Sequence, residues 1–156
     1  MTATIVSASD AAYFDLLKGL VCSIRDKPEG RDIALSILDV GLDSSQRHWL
    51  ADQGAAIAEP GWDFEIPASM NAPSHFRALL ARPFLRRYFP GHDIYLHIDS
   101  DAWVQDWSAV DIYLAAAADG LLAITPQVDR AYNTNFKRPR RYRRTRNTIT
   151  GRSRWT

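Results

Sequence analysis

The run Ile33-Ala34-Leu35-Ser36-Ile37-Leu38-Asp39-Val40 constrains the fold more than any other stretch of the chain. It is almost continuously apolar, far too short to cross a membrane, and lacks the alternation of a strand with one wet face. Such a strand is covered on both sides, as in a parallel sheet sandwiched between helices. The flanking sequence agrees. Thr4-Ile5-Val6-Ser7 is a short apolar opening followed by the loop Ala8-Ser9-Asp10. Tyr13, Phe14, Leu16, Leu17, Leu20, Val21 and Ile24 then recur at helical spacing. Ser9 or Asp10 suits the N-cap, and Lys27-Pro28-Glu29-Gly30 stops the helix.

Beyond the run, Asp43-Ser44-Ser45 caps a short helix that carries Trp49 and Leu50 and ends at Gly54, and residues 55–58 form a third strand. Residues 62–67 are an extended connection. Residues 73–89 read as a helix striped by Phe76, Leu79, Leu80, Phe84, Leu85 and Tyr88, which Pro83 kinks or divides. A strand over 94–98, a helix over 107–118 and a further strand over 121–124 complete the pattern. Strands alternating with helices predict a Rossmann-like open α/β fold, a mostly parallel sheet with helices on both faces. Ligands of such sheets sit beyond the carboxyl ends of the strands, where strand order reverses. Neither G-x-G-x-x-G after the first strand nor a P-loop is present, so those two modes of phosphate binding have no support.

At 156 residues and 46% hydrophobic content the chain suits one domain with a sizeable core. No run approaches about 18 apolar residues and the N-terminus lacks a signal pattern, so a cytoplasmic protein is expected. The single cysteine, Cys22, precludes an internal disulfide and is expected as a buried core thiol. Charge is divided unevenly. All 18 acidic residues lie within residues 1–136, whereas nine of the 19 basic residues lie in the last 20. The division predicts a folded domain over residues 1–132 and a basic, disordered tail over 133–156. Tyr142 and Trp155 interleave with arginine there, so nucleic acid or an anionic surface is an alternative partner for residues 137–156, although no folded recognition motif accompanies them.

The sharpest chemical signal is Asp93-Ile94-Tyr95-Leu96-His97-Ile98-Asp99-Ser100-Asp101, an apolar strand ending in two aspartates one residue apart. If strand alternation continues, Asp99 and Asp101 point the same way. Two such carboxylates suit magnesium or manganese, which also accepts phosphate oxygens and water. Alone the motif is short, and acidic pairs in solvated turns are common. A phosphohydrolase using one aspartate as nucleophile is an alternative, although that chemistry usually places its acids after the first strand.

Over a longer span the sequence resembles the nucleotide-sugar glycosyltransferases of the GT-A fold, in the branch of glycogenin-like and bacterial galactosyl- or glucosyltransferases. The resemblance is carried by the stretch from Ile94 to Trp107, by His75-Phe76-Arg77-Ala78-Leu79-Leu80, by Tyr88-Phe89-Pro90-Gly91 and by the opening from Thr4 to Asp10. It covers about residues 3–132 and implies the donor-binding half of such an enzyme, with a UDP-sugar as donor. It further implies that Asp99 and Asp101 bind Mn2+ or Mg2+, and that Ala8, Ser9 and Asp10 approach the nucleoside. Arg77 and Ser100 complete the donor site. The family continues well past the point where this chain passes into its basic segment. The acceptor half is therefore expected to be missing, through truncation in the favoured reading, or because the chain is one part of a split enzyme or a diverged binding remnant, and the exposed sheet edge invites self-association.

Overall fold

The protein is described by a computed structural model over residues 1–65 and 71–125. The basic segment 133–156 and the predicted domain boundary at 132 lie outside the described residues. Ten elements follow the expected alternation. Strand β1 (Ala3–Ser9) leads to helix α1 (Phe14–Arg25), β2 (Ala34–Asp39), α2 (Ser44–Asp52) and β3 (Ala55–Ala58). Helix α3 (Phe76–Ala81), a 3-10 turn (Arg82–Phe84), α4 (Leu85–Tyr88), β4 (Ile94–His97) and α5 (Trp107–Ala118) are the others among the described residues.

The four strands make one all-parallel sheet in the order β3-β2-β1-β4. On one face Ile5, Leu35 and Ile37 pack against Leu17, Leu20, Val21 and Ile24 of α1, Leu50 of α2, and Trp107 and Val110 of α5. On the other face Val6, Leu38 and Val40 meet Ala78 and Ala81 of α3 and Leu85 of α4. Alternate residues of β2 thus serve opposite cores, which is why its sequence is almost continuously apolar. The fold is the Rossmann-like α/β arrangement expected, with helices on both faces.

Local signals place the boundaries. Asp43 caps α2 by accepting the Gln46 N–H at 2.9 Å, while the Gln46 side chain accepts the Asp43 N–H at 3.0 Å, a reciprocal box that satisfies two orphan donors. Pro83 cannot donate to the preceding turn, and the predicted 73–89 helix is divided there into α3, the 3-10 turn and α4.

Three expectations differ from the structure. Residues 121–125 form no strand, and Leu121, Leu122 and Ile124 are exposed. Their β-formers pair with no strand among the described residues, and strand propensity is realised only against a partner. Cys22 is exposed rather than buried, because the stripe Leu17, Leu20, Val21, Ile24 turns it away from the sheet. Asp10 is not the N-cap of α1, which is Tyr13. Its Oδ1 instead accepts the N–H groups of Ala12 and Tyr13 at 3.0 and 3.1 Å, closing the turn that leads into the helix.

Candidate functional site

Strand order makes a crevice. The chain runs from β1 outward to β2 and β3, then returns by α3 and α4 on the opposite face to place β4 on the other side of β1. Strand order therefore reverses between β1 and β4, and a cleft lies at their carboxyl ends, the general ligand position of open parallel sheets. It encloses about 270 Å3. Ala8, Ser9, Asp10 and Tyr13 form one wall, His97, Asp99 and Ser100 another, and His75, Ala78, Leu79 and Arg82 the third, with Val40 beside the first.

The first wall is braced from β2. The Asp39 carboxylate is buried and accepts from the N–H groups of Gly41 and Leu42 at 2.9 and 2.8 Å and from Arg47 Nε. Burial alone would push the Asp39 carboxyl up, but these hydrogen bonds outweigh it and hold the group below its ordinary value. The loop so fixed is joined to the β1 loop by Val40 N–H to Ser9 C=O at 3.1 Å and Ala11 N–H to Gly41 C=O at 3.0 Å. Gly41 has φ of +138°, a conformation that disfavours a side chain, so the turn needs glycine there.

The second wall ends β4. Pairing runs one residue past the strand, with Ile98 N–H on Val6 C=O at 2.9 Å. The chain then turns at once, closed by Ala102 N–H to Asp99 C=O at 3.0 Å. Asp99 and Asp101 therefore sit in a turn, and strand alternation does not set their directions. Asp99 and Ser100 face the cleft, while Asp101 is exposed on the same turn and outside the cleft lining.

The third wall is a helical stripe, His75, Ala78, Leu79 and Arg82, spaced i, i+3, i+4 and i+7. Its charged member meets the second wall, where Arg82 Nη2 donates to Asp99 Oδ1 at 2.7 Å. Arg77 lies off that stripe and outside the cleft lining. Its Nη1 donates to Glu59 Oε1 at 3.0 Å and to the Pro60 carbonyl at 3.3 Å, and its Nε to the Ser74 carbonyl at 3.3 Å. The predicted residues Ala8, Ser9, Asp10, Asp99 and Ser100 are thus together in one cleft, whereas Arg77 and Asp101 are not among its lining residues. Sequence reasoning missed Arg82, His75 and Tyr13. The spacing 75, 78, 79, 82 was the available signal, hidden because Arg82 sits among Arg77, Arg86 and Arg87.

His97 is the electrostatic oddity of the site. Its pKa is lowered from 6.5 to about 4, first by burial and then by the Arg82 charge, against the opposing pull of Asp99. The ring is neutral at physiological pH. Its Nδ1 lies 3.7 Å from Asp99 Oδ1, and its buried Nε2 has no hydrogen-bond partner among the described residues.

The donor chemistry around Asp99 fits a hard divalent cation. Two carboxylates and a hydroxyl on one turn offer oxygen ligands without thiolate, and magnesium is commonly held by one or two carboxylates together with substrate phosphates and water. No cluster of three or more His, Cys, Asp or Glu side chains is present among the described residues, so the ligand itself would have to complete the coordination.

No protein-family model and no curated protein sequence matches the chain. Solved structures do. The galactosyltransferase LgtC, in a complex with donor and acceptor sugar analogues, aligns over 69% of this chain at 21% identity with a TM-score of 0.52. An active-site mutant of LgtC aligns over the same share at 22% identity and a TM-score of 0.50. In both cases the match spans 41% of the LgtC chain. Among the described residues no helix is long and apolar enough to cross a membrane. By these structural matches the chain has a GT-A glycosyltransferase-type fold, over a part that corresponds to about two fifths of LgtC.

Proposed function

We propose that the cleft binds a nucleoside-diphosphate sugar, a UDP-sugar by the sequence resemblance, and that the chain is the donor-binding part of a metal-dependent glycosyltransferase. The observation that carries this reading is the position of the cleft, between the loops of β1 and β4 at the reversal of strand order. In it the nucleoside lies against Ala8, Ser9 and Asp10, whose loop is rigidly tied to that of β2. The diphosphate reaches the turn that carries Asp99, Ser100 and Asp101. Mn2+ or Mg2+ bound by Asp99 and Asp101 would supply Lewis-acid stabilisation of the departing diphosphate. The chain's own residues hold and orient the donor. LgtC was crystallised with donor and acceptor analogues, but the match spans only 41% of it, so acceptor and overall activity are not carried across.

Calorimetric titration of UDP with and without Mn2+ tests the reading, using the wild-type chain, Asp99→Asn and Asp101→Asn. The expected result is Mn2+-dependent binding that both substitutions weaken. A folded wild-type chain that binds no UDP under either condition would overturn it.

A further inference from the structure

We propose that the outer face of α5, with the apolar segment just after it, is the docking surface for this chain's own basic segment, residues 137–156. The inference is independent of the nucleotide-sugar reading of the cleft. Residues 88–128 carry six aspartates and no lysine or arginine, whereas residues 137–156 carry nine basic residues and no acid. On α5, Trp107 and Val110 are buried against the sheet and Leu114 packs beside them. The opposite face, Ser108, Asp111, Ile112, Ala115 and Asp119, is exposed along its whole length, and the spacing makes it one stripe. Ile112 is 68% exposed, and Leu121, Leu122 and Ile124, just beyond the helix, are exposed as well. A solvent-facing helix surface is ordinarily charged and polar. Here the charges are all negative and the other members are small or apolar.

The path of the chain favours this occupant. Helix α5 is closed by Gly120, which has φ of +74° and donates its N–H to Ala117 C=O at 2.9 Å, and by Leu121 N–H on Ala116 C=O at 3.3 Å. The hydroxyls of Tyr113 and Thr125 are then hydrogen-bonded, so the last described residue lies alongside the middle of α5. From Thr125 to Lys137 is 12 residues, an extended reach of up to about 40 Å, while α5 is about 18 Å long. The basic segment therefore reaches every point of the face without a second chain. Asp106 is committed as the N-cap, accepting the Ser108 N–H at 2.8 Å, which leaves Asp111 and Asp119 as the charges offered along the helix. Arginine suits both characters of this surface, because its guanidinium pairs with carboxylate while its aliphatic stem covers apolar groups.

The test is limited tryptic digestion of the full chain, with cleavage within residues 137–156 followed by intact mass, after circular dichroism has shown that each variant is folded. The rate reports the undocked fraction when undocking is fast relative to cleavage. At low salt the double variant Asp111→Asn/Asp119→Asn is expected to be cut roughly threefold to tenfold faster than wild type, the loss of two exposed charge pairs, and high salt should narrow the difference. Ile112→Gln, which leaves the charge unchanged, should also speed cleavage. Asp15→Asn/Asp52→Asn removes the same charge from exposed positions on α1 and α2 and should leave the rate as it is. Equal rates for wild type and both α5 variants would overturn the proposal. Equal acceleration by the Asp15/Asp52 pair would overturn it too, by reducing the effect to net charge. Protection that grows with protein concentration would give the face to a second copy and overturn docking within one chain.

Discussion

Arg25, in the last turn of α1, donates from Nη1 to the carbonyl of Gly30 at 2.6 Å, closing the loop by which the chain leaves the helix for β2. The same nitrogen reaches the carbonyls of Arg31 and Ile33 at 3.2 and 2.9 Å, and Nη2 reaches Gln53 at 2.9 Å. One side chain thus ties the approaches to β2 and β3 together. Burial lowers the guanidinium's pKa, with Asp32 opposing, but an arginine remains charged at any ordinary pH. Replacing Arg25 by Met keeps much of the packing and strands these carbonyls. The expected loss is roughly 2–3 kcal/mol of unfolding free energy, read from urea denaturation. A change within about 0.5 kcal/mol, the usual range for a surface substitution, would mean that water serves the carbonyls equally well.

Gly30 itself tolerates no side chain. An added Cβ would lie 2.0 Å from the Ile24 carbonyl oxygen and 2.9 Å from Trp107 Cζ3, so backbone and core would both have to move. Gly30→Ala is expected to destabilise by about 1–3 kcal/mol, the range of core overpacking, with the urea midpoint lowered and the m-value unchanged.

Between β1 and β2 the hydroxyls of Thr4 and Ser36 lie 2.8 Å apart and buried, and Thr4 also donates to the Ala34 carbonyl at 3.1 Å. With the Thr4 proton on Ala34, Ser36 donates to Thr4. Thr4→Val therefore leaves a buried hydroxyl without its acceptor and should cost about 1–3 kcal/mol. The pair Thr4→Val with Ser36→Ala should cost less than the sum of the single changes, since no polar atom is then stranded. Strict additivity in the double-mutant cycle would contradict this coupling.

His97 should make stability depend on pH. Its pKa falls from 6.5 to about 4 on folding, so between those values the unfolded chain binds a proton that the native chain does not. Stability is then complete above about pH 6.5 and declines as pH falls toward 4, by about 3 kcal/mol for a shift of this size. Asp39, whose carboxyl is held below its ordinary value, adds a separate loss at still lower pH. Denaturation at pH 7 and pH 5 in the presence of chelator should show the decline in wild type and a flatter profile in His97→Gln. Equal slopes for the two proteins would assign the pH dependence elsewhere.

Much of the architecture was legible because its signals are local. The capping box at Asp43 and Gln46, the break at Pro83 and the limits of α5 each depend on residues within a turn or two of one another. The doubly apolar β2 even announced that both faces of the sheet would be covered. The aspartate pair was found by the same means, although its geometry was read as strand and is a turn.

What tertiary structure decided lies where distant segments meet. Arg77 and Arg82 are five residues apart on one helical stretch, and their sequence surroundings do not distinguish them. Only the crossing of α3 over the sheet sends one to Glu59 and the other to Asp99. Residues 121–124 have the composition of a strand but no partner strand among the described residues. His97 acquires its lowered pKa from burial beside Arg82, a neighbour fifteen residues earlier in the chain. Helical period and capping are properties of a few consecutive residues, and the sequence determines them directly. Charge pairing, strand pairing and desolvation depend on which segments the folded chain brings within a few ångströms, and local pattern carries no record of that.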